Sequence, residues 1–191
     1  MTKRIAIIDG HPDPDRARFV HALADAYADG AVAGGHDIRR IEVSQLNFPV
    51  LRSRNQWTDE PLPPLLEEPQ AAMGWADHIV IFYPLWLGDV PALLKAFLEQ
   101  VLRPGFAMTE GVRPKALLKG KSAHVIVTMG MPGFFYATFY RAHSLKSLER
   151  NILKFVGIGP VTHTIIGAVD SSVETRTGWL EEMAGAGEAA H

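Results

Sequence analysis

A parallel α/β sheet covered by helices on both faces is the fold this sequence predicts, and three observations point to it. Short β-prone runs alternate with segments of helical period five times along the 191 residues. All but the second of these runs read as apolar throughout, the pattern of strands buried on both sides, whereas one-sided burial gives alternation. A length of 191 residues with 47% hydrophobic content is enough for one sizeable core.

The elements follow in order. Ile5 to Ile8 is the first strand, and after a loop from Asp9 to Asp15 the residues Phe19, Ala22, Leu23 and Ala26 fall on helical spacing until Gly34-Gly35 ends the pattern. Ile38 to Val43 alternates as a second, half-exposed strand. Pro49, Pro61, Pro63, Pro64 and Pro69 then mark a long irregular connection with one short helix near Ala71 to Ala76. Ile79 to Tyr83 is the strongest strand, and Pro91 opens a helix that carries Leu94, Phe97, Leu98 and Val101 on one face. His124 to Thr128 is the fourth strand. Leu145, Leu148, Ile152 and Phe155 predict a further amphipathic helix ended by Gly157, Val161 to Ile166 the fifth strand, and Glu174 to Met183 the last helix. Right-handed crossovers and five strands favour a three-layer sandwich of flavodoxin-like order 2-1-3-4-5. Residues 1–183 read as one domain and 184–191 as a disordered tail.

Composition excludes several functions. Lys+Arg total 19 and Asp+Glu 21, a net charge of −2 with neither sign concentrated, so the basic face of a nucleic-acid binder is missing. With no cysteine there is no disulfide framework, thiol nucleophile or thiolate metal site, and a reducing cytoplasm is the expected location. The apolar run after Lys3-Arg4 is too short for a signal peptide, and Gly130-Met131-Pro132-Gly133 interrupts the only other long apolar stretch, so no membrane span is expected. The eight histidines form neither H-x-x-x-H nor H-E-x-x-H, and no metal site is expected. G-x-G-x-x-G, G-x-x-x-x-G-K-[ST] and G-x-S-x-G are also missing, against a Rossmann NAD site, a P-loop and a serine hydrolase.

In such a sheet ligands bind at the carboxyl ends of the strands, where three unusual loops must meet. His11 to Arg18 leads straight into a helix, whose free N–H groups could hold a phosphate with help from His11, Arg16 or Arg18; alternatively Pro12 and Pro14 stiffen a turn and Asp15 caps the helix. The segment Pro84-Leu85-Trp86-Leu87-Gly88-Asp89 carries a tryptophan, and Met129 to Tyr136 carries three consecutive aromatics. Large apolar groups in loops point to a flat ligand or a subunit interface, against the alternative of ordinary core packing.

Gly10-His11-Pro12 with Arg18-Phe19, Tyr83 to Trp86 with Val90-Pro91-Ala92, Arg103 to Ala107, and Thr128-Met129-Gly130 with Tyr136 together resemble the flavodoxin-like NAD(P)H:quinone reductases, the family that includes DT-diaphorase. The resemblance runs from about Ile5 to Ile158. It implies an enzyme that takes hydride from NAD(P)H onto a bound flavin, FMN or FAD, and passes two electrons to a quinone or similar acceptor by ping-pong turnover, as a homodimer. Residue by residue, it implies that His11, Arg18 and Phe19 hold the flavin phosphate, beside the Arg16 that the loop itself offers. Pro84, Leu85, Trp86 and Leu87 would then lie along the isoalloxazine and Thr128, Met129 and Gly130 at its polar edge. Tyr136 and His143 would steady the charge of the reduced flavin. Arg18 stands where the family carries Ser or Thr, and Met129 or Met131 where it carries a second glycine. A chain of near-neutral charge with the insertion Leu102 to Lys121 fits an enzyme better than an acidic electron-carrier flavodoxin. The other alternative is a regulatory flavin-binding subunit like the ancillary proteins of potassium efflux systems. The apolar segment Pro104 to Met108 is the expected two-fold interface, covering Phe134 and Phe135 as well.

Overall fold

A computed structural model describes all 191 residues. Five parallel strands, β1 (Arg4–Asp9), β2 (Asp37–Glu42), β3 (His78–Pro84), β4 (Ser122–Thr128) and β5 (Val161–Ile166), form one sheet in the order β2-β1-β3-β4-β5, as the alternation predicts. Every residue of β3 is buried, since it lies at the centre of the sheet with β1 on one side and β4 on the other. At the edges β2 alternates, and β5 leaves Thr162 and His163 exposed, the latter paired with Glu149 at 2.6 Å.

Two helical layers cover the sheet. The back layer is α1 (Phe19–Ala33) against α7 (Val173–Ala189), over a core that includes Ile5, Ile7, Leu23, Tyr27, Val80, Phe82 and Met183. The front layer is α3 (Glu67–Trp75) and α4 (Ala92–Val101), followed along the chain by α5 (Gly133–Thr138) and α6 (His143–Ser147), over the larger core around Ile79, Ile81, Tyr83, Phe97 and Leu145. A short helix α2 (Arg54–Thr58), capped by Ser53, sits in the proline-rich connection, where only the helix near Ala71 to Ala76 was expected.

Three expectations need correction. The segment 184–191 is not a disordered tail: α7 continues to Ala189 because Gly30 and Gly187 let the helix backbones meet. A Cβ on Gly30 would stand 1.9 Å from the Ala184 carbonyl oxygen, and one on Gly187 2.1 Å from that of Tyr27. Lys3 Nζ donates to the Ala190 carbonyl at 2.8 Å, fixing the end of the helix. The helix after His143 does not keep a 3.6-residue period. Residues 148–153 form a π-helical turn, with Lys154 N–H bonded to Glu149 and Ile158 N–H to Leu153, five residues back. The buried set is therefore Leu145, Leu148, Leu153 and Val156, and Phe155, expected in the core, is 51% exposed. Finally, Pro104 to Met108 is not a displayed apolar segment. Ala107 and Met108 are buried, the Phe106 ring packs over Gly74 of α3, and Arg103 pins the arrangement by donating to the Glu60 and Pro61 carbonyls at 2.9 and 3.3 Å.

Candidate flavin-binding cleft

The carboxyl ends of β1, β3, β4 and β5 open into a cavity of about 320 Å3. His11, Arg18, Phe19, Pro84, Leu85, Trp86, Thr128, Met129 and Gly130 all line it, so nine of the residues singled out from sequence meet in one place. They meet because Gly10 continues β1 by donating to the Phe82 carbonyl at 2.8 Å, and Leu85 N–H bonds Thr128 O at 2.7 Å, which ties the loop after β3 to β4.

The polar end is at the start of α1. No protein acceptor meets the N–H groups of Phe19 and Val20, whose helix begins without a side-chain cap. Asp15 does not cap it, as one reading of the loop expected; its carboxylate accepts the Ala17 N–H at 3.0 Å instead. Arg18 lies beside these amides but spends its charge locally, with Nε and a terminal nitrogen at 2.8 and 2.7 Å from Asp13. That guanidinium and, before it, the Asp15 N–H hold the Asp13 carboxyl below its ordinary range. His11 is buried and makes an edge contact with the Trp86 ring at 5.9 Å between centroids. Burial, reinforced by neighbouring His21, lowers its affinity for a second proton.

The apolar end is Pro84, Leu85 and the half-exposed Trp86. Trp86 and Asp89 exchange main-chain hydrogen bonds at 3.0 Å across Leu87-Gly88, both at positive φ (48° and 79°), the geometry of a type I′ turn. Leu87 is thereby turned out to full exposure and lines a different groove, away from the cavity. The Trp86 amide is consumed by the same turn, whereas Gly130 N–H has no acceptor and a side chain there would meet open space.

Three further expected residues lie elsewhere. Arg16 bridges Asp25 (2.5 Å) and Glu42 (3.6 Å), joining α1 to β2 together with Arg40. Tyr136 is buried within the front core, its hydroxyl 2.7 Å from Ser144 Oγ and accepting the Leu145 N–H at 3.2 Å. His143 is exposed at the start of α6, and the two are not brought together at the cavity. Phe134, Phe135 and Tyr136 occupy a short helix, so Tyr136 turns inward and the phenylalanines outward.

Val169, Asp170 and Arg176 line the cavity without having been singled out. The Arg176 guanidinium lies 4.7 Å from the centre of the Phe19 ring. The signal was available: a fifth parallel strand must also end at this edge, so the loop after Ile166 belonged beside the other three.

The donor set suits a flavin mononucleotide, with free helix amides, two guanidiniums and a histidine at one end and a flat apolar wall at the other. A family described as having the flavodoxin-like fold (Flavodoxin_2) matches residues 3–187. NAD(P)H dehydrogenase [quinone] 1 of Rattus norvegicus is 24% identical, covering 95% of this chain and 76% of that protein. FMN-dependent NADH:quinone oxidoreductase 1 of Hahella chejuensis is 41% identical over 101 residues, covering 51% of this chain and 45% of that protein. Among solved structures, an NAD(P)H:quinone oxidoreductase from Methanothermobacter marburgensis superposes with a TM-score of 0.82 at 24% identity, covering all of both chains. No helix is long and apolar enough to cross a membrane. With nearly the whole chain matched and the sheet order of that fold in place, the protein belongs to the flavodoxin-like fold family.

Proposed function

We propose that the protein is an FMN-dependent NAD(P)H:quinone oxidoreductase. The observation that carries this reading is the convergence of four strand-end loops on one cleft, with anion donors at one end and Pro84, Leu85 and Trp86 at the other. A flavin held there would supply the redox chemistry, hydride acceptance from NAD(P)H and two-electron delivery to a quinone.

The chain's own residues bind and tune. Phe19 and Val20 N–H, Arg18, Arg176 and His11 hold the phosphate, with the helix N-terminus adding its partial positive charge. Trp86, Leu85 and Pro84 supply a wall for the ring. The unengaged Gly130 N–H would donate to the ring's polar edge and stabilise negative charge growing there, the role that buried Tyr136 and solvent-facing His143 do not fill here. Relatives named as FMN-dependent favour FMN over FAD.

The proposed enzyme acts as a homodimer. The supporting surface is the front face, where fully exposed Leu87, half-exposed Trp86 and Phe155, and a groove of about 560 Å3 between α4 and the π-helical turn present apolar groups that one chain leaves uncovered. The test is direct. Purified protein titrated with FMN should quench flavin fluorescence at one equivalent per chain and then oxidise NADH or NADPH when a soluble quinone is added. No binding at high micromolar FMN or FAD overturns the reading.

A further inference from the structure

Beneath the loop that begins the cleft lies a closed circuit of hydrogen bonds that the reading above does not use. Asp9 Oδ1 accepts the His11 main-chain N–H at 3.2 Å, His11 Nδ1 accepts the Asp13 N–H at 3.0 Å, and the Asp13 carbonyl faces His21 Nε2 at 2.9 Å. His21 Nδ1 closes the circuit on Asp9 Oδ2 at 2.5 Å. Asp9, His11 and His21 are all buried, and the rings of His11 and His21 lie 5.2 Å apart.

The chemistry of each partner fixes where the protons are. A main-chain amide can only donate, so His11 Nδ1 is bare and its ring proton sits on Nε2. A carbonyl and an ionised carboxylate can only accept, so with Asp9 ionised both nitrogens of His21 donate and the ring is an imidazolium paired with it. His11 Nε2 finds no partner in the protein, and the ring lines the cleft. Burial and, after it, the His21 ring 5.2 Å away oppose a second proton on His11, and the weaker pull of Asp9 and Asp13 does not reverse this.

We propose that His21 is a positioning residue: with Asp9 it closes a buried hydrogen-bond ring that holds His11 in one tautomer, presenting Nε2–H to the cleft as a neutral donor for the phosphate monoester of FMN. The ring claim stands on geometry alone; its purpose rests on the flavin reading of the cleft. The design separates tasks. Arg176 and the helix amides carry the positive charge, while His11, on which burial and His21 disfavour a second proton, supplies a donor through Nε2.

Two variants separate ring from charge. Asp9→Asn keeps every link, since an amide can donate to a neutral His21 Nδ1 while its oxygen still accepts from His11, and His21 Nε2–H still reaches Asp13. His21→Gln carries its donors at one end and cannot bridge Asp9 and Asp13, so the ring opens and leaves an uncompensated carboxylate beside His11. Side-chain nitrogen NMR on the wild-type protein without ligand should show one histidine protonated on both nitrogens and His11 as the Nε2–H tautomer. In His21→Gln the titration of His11 should move to higher pH and FMN should bind about tenfold more weakly, whereas Asp9→Asn should stay within about threefold of wild type.

A wild-type His11 protonated on Nδ1, or a His21 whose Nε2 carries no proton, overturns the ring. Unchanged FMN affinity and unchanged His11 resonances in His21→Gln overturn the positioning role. The wild-type spectrum decides the ring even if His21→Gln fails to fold. Wild-type protein that shows the predicted protonation states yet binds no FMN would sink the flavin reading and leave the ring intact.

Discussion

The two faces of the sheet are finished differently. Behind it, α1 and α7 approach so closely that glycine is the only residue with room at Gly30 and Gly187, and histidines at the ends of β3 and β4 are sealed beneath them. In front, the larger core ends in Leu87, Phe134, Phe139 and Phe155, all exposed, around a helix interrupted by a π turn. The back closes on itself by omitting side chains; the front leaves side chains over. A layer that must only hold the sheet can be packed to contact, whereas one that meets a second subunit, as in the proposed homodimer, stays incomplete in a single chain.

The comparison can be broken first at its tightest point. Gly30→Val places a branched side chain against the Ala184 carbonyl, and thermal unfolding should show a loss of about 3 kcal/mol or more, because backbone cannot step aside as a side chain can. Acid should attack the same layer. Burial, with Lys3 and His124 adding repulsion, lowers His78 from its ordinary 6.5 to about 4, and burial also lowers His124. Because the folded state holds these rings neutral, their contribution is complete above pH 6.5 and is lost as pH falls from 6.5 through 4. Urea unfolding across that window should register about 3 kcal/mol from His78, and His78→Phe should flatten the profile there.

The front should respond in function and assembly with its stability little changed. Trp86→Ala should weaken FMN retention by roughly 1–3 kcal/mol while the unfolding midpoint holds, read by fluorescence titration beside a melting curve. Phe155→Asp should reduce the mass seen by light scattering from about twice 21.0 kDa to the single-chain value; a wild type that is already monomeric contradicts the homodimer. The smallest effect has the opposite sign. Leu87→Gly removes a left-handed leucine that is wholly exposed and should stabilise the fold by about 1 kcal/mol, measured by denaturant unfolding.

Sheet order and the cleft were readable because both follow from short-range rules. Apolar strands such as Ile79 to Tyr83 are visible in any window of five residues, and parallel connectivity forces their following loops to one edge. What could not be read needed contacts between distant positions. In 184–191 the two glycines mask a helix that the alanines favour, and what Gly187 is useful for, close approach to Tyr27 and Ala31, is not visible locally. Tyr136 and His143 form a plausible pair on the page, but a short helix at 133–138 turns the phenol onto Ser144. Arg16 and Arg18 are alike in sequence, yet Asp25 on α1 takes one and leaves the other beside the cleft.

The π turn at 148–153 has a bearing on how this surface could come and go in descent. An α-helix pushed out by one residue exchanges which side chains meet the sheet: Val156 now occupies the inward place that regular spacing would assign to Phe155. A single substitution that rewound the turn to a regular α-helix at constant length would fold Phe155 inward and withdraw an aromatic from the front face without altering the cleft's own residues. On the proposed function, assembly and flavin binding are in this way separable by one codon, which leaves lineages free to vary the one while the other stays under its own selection.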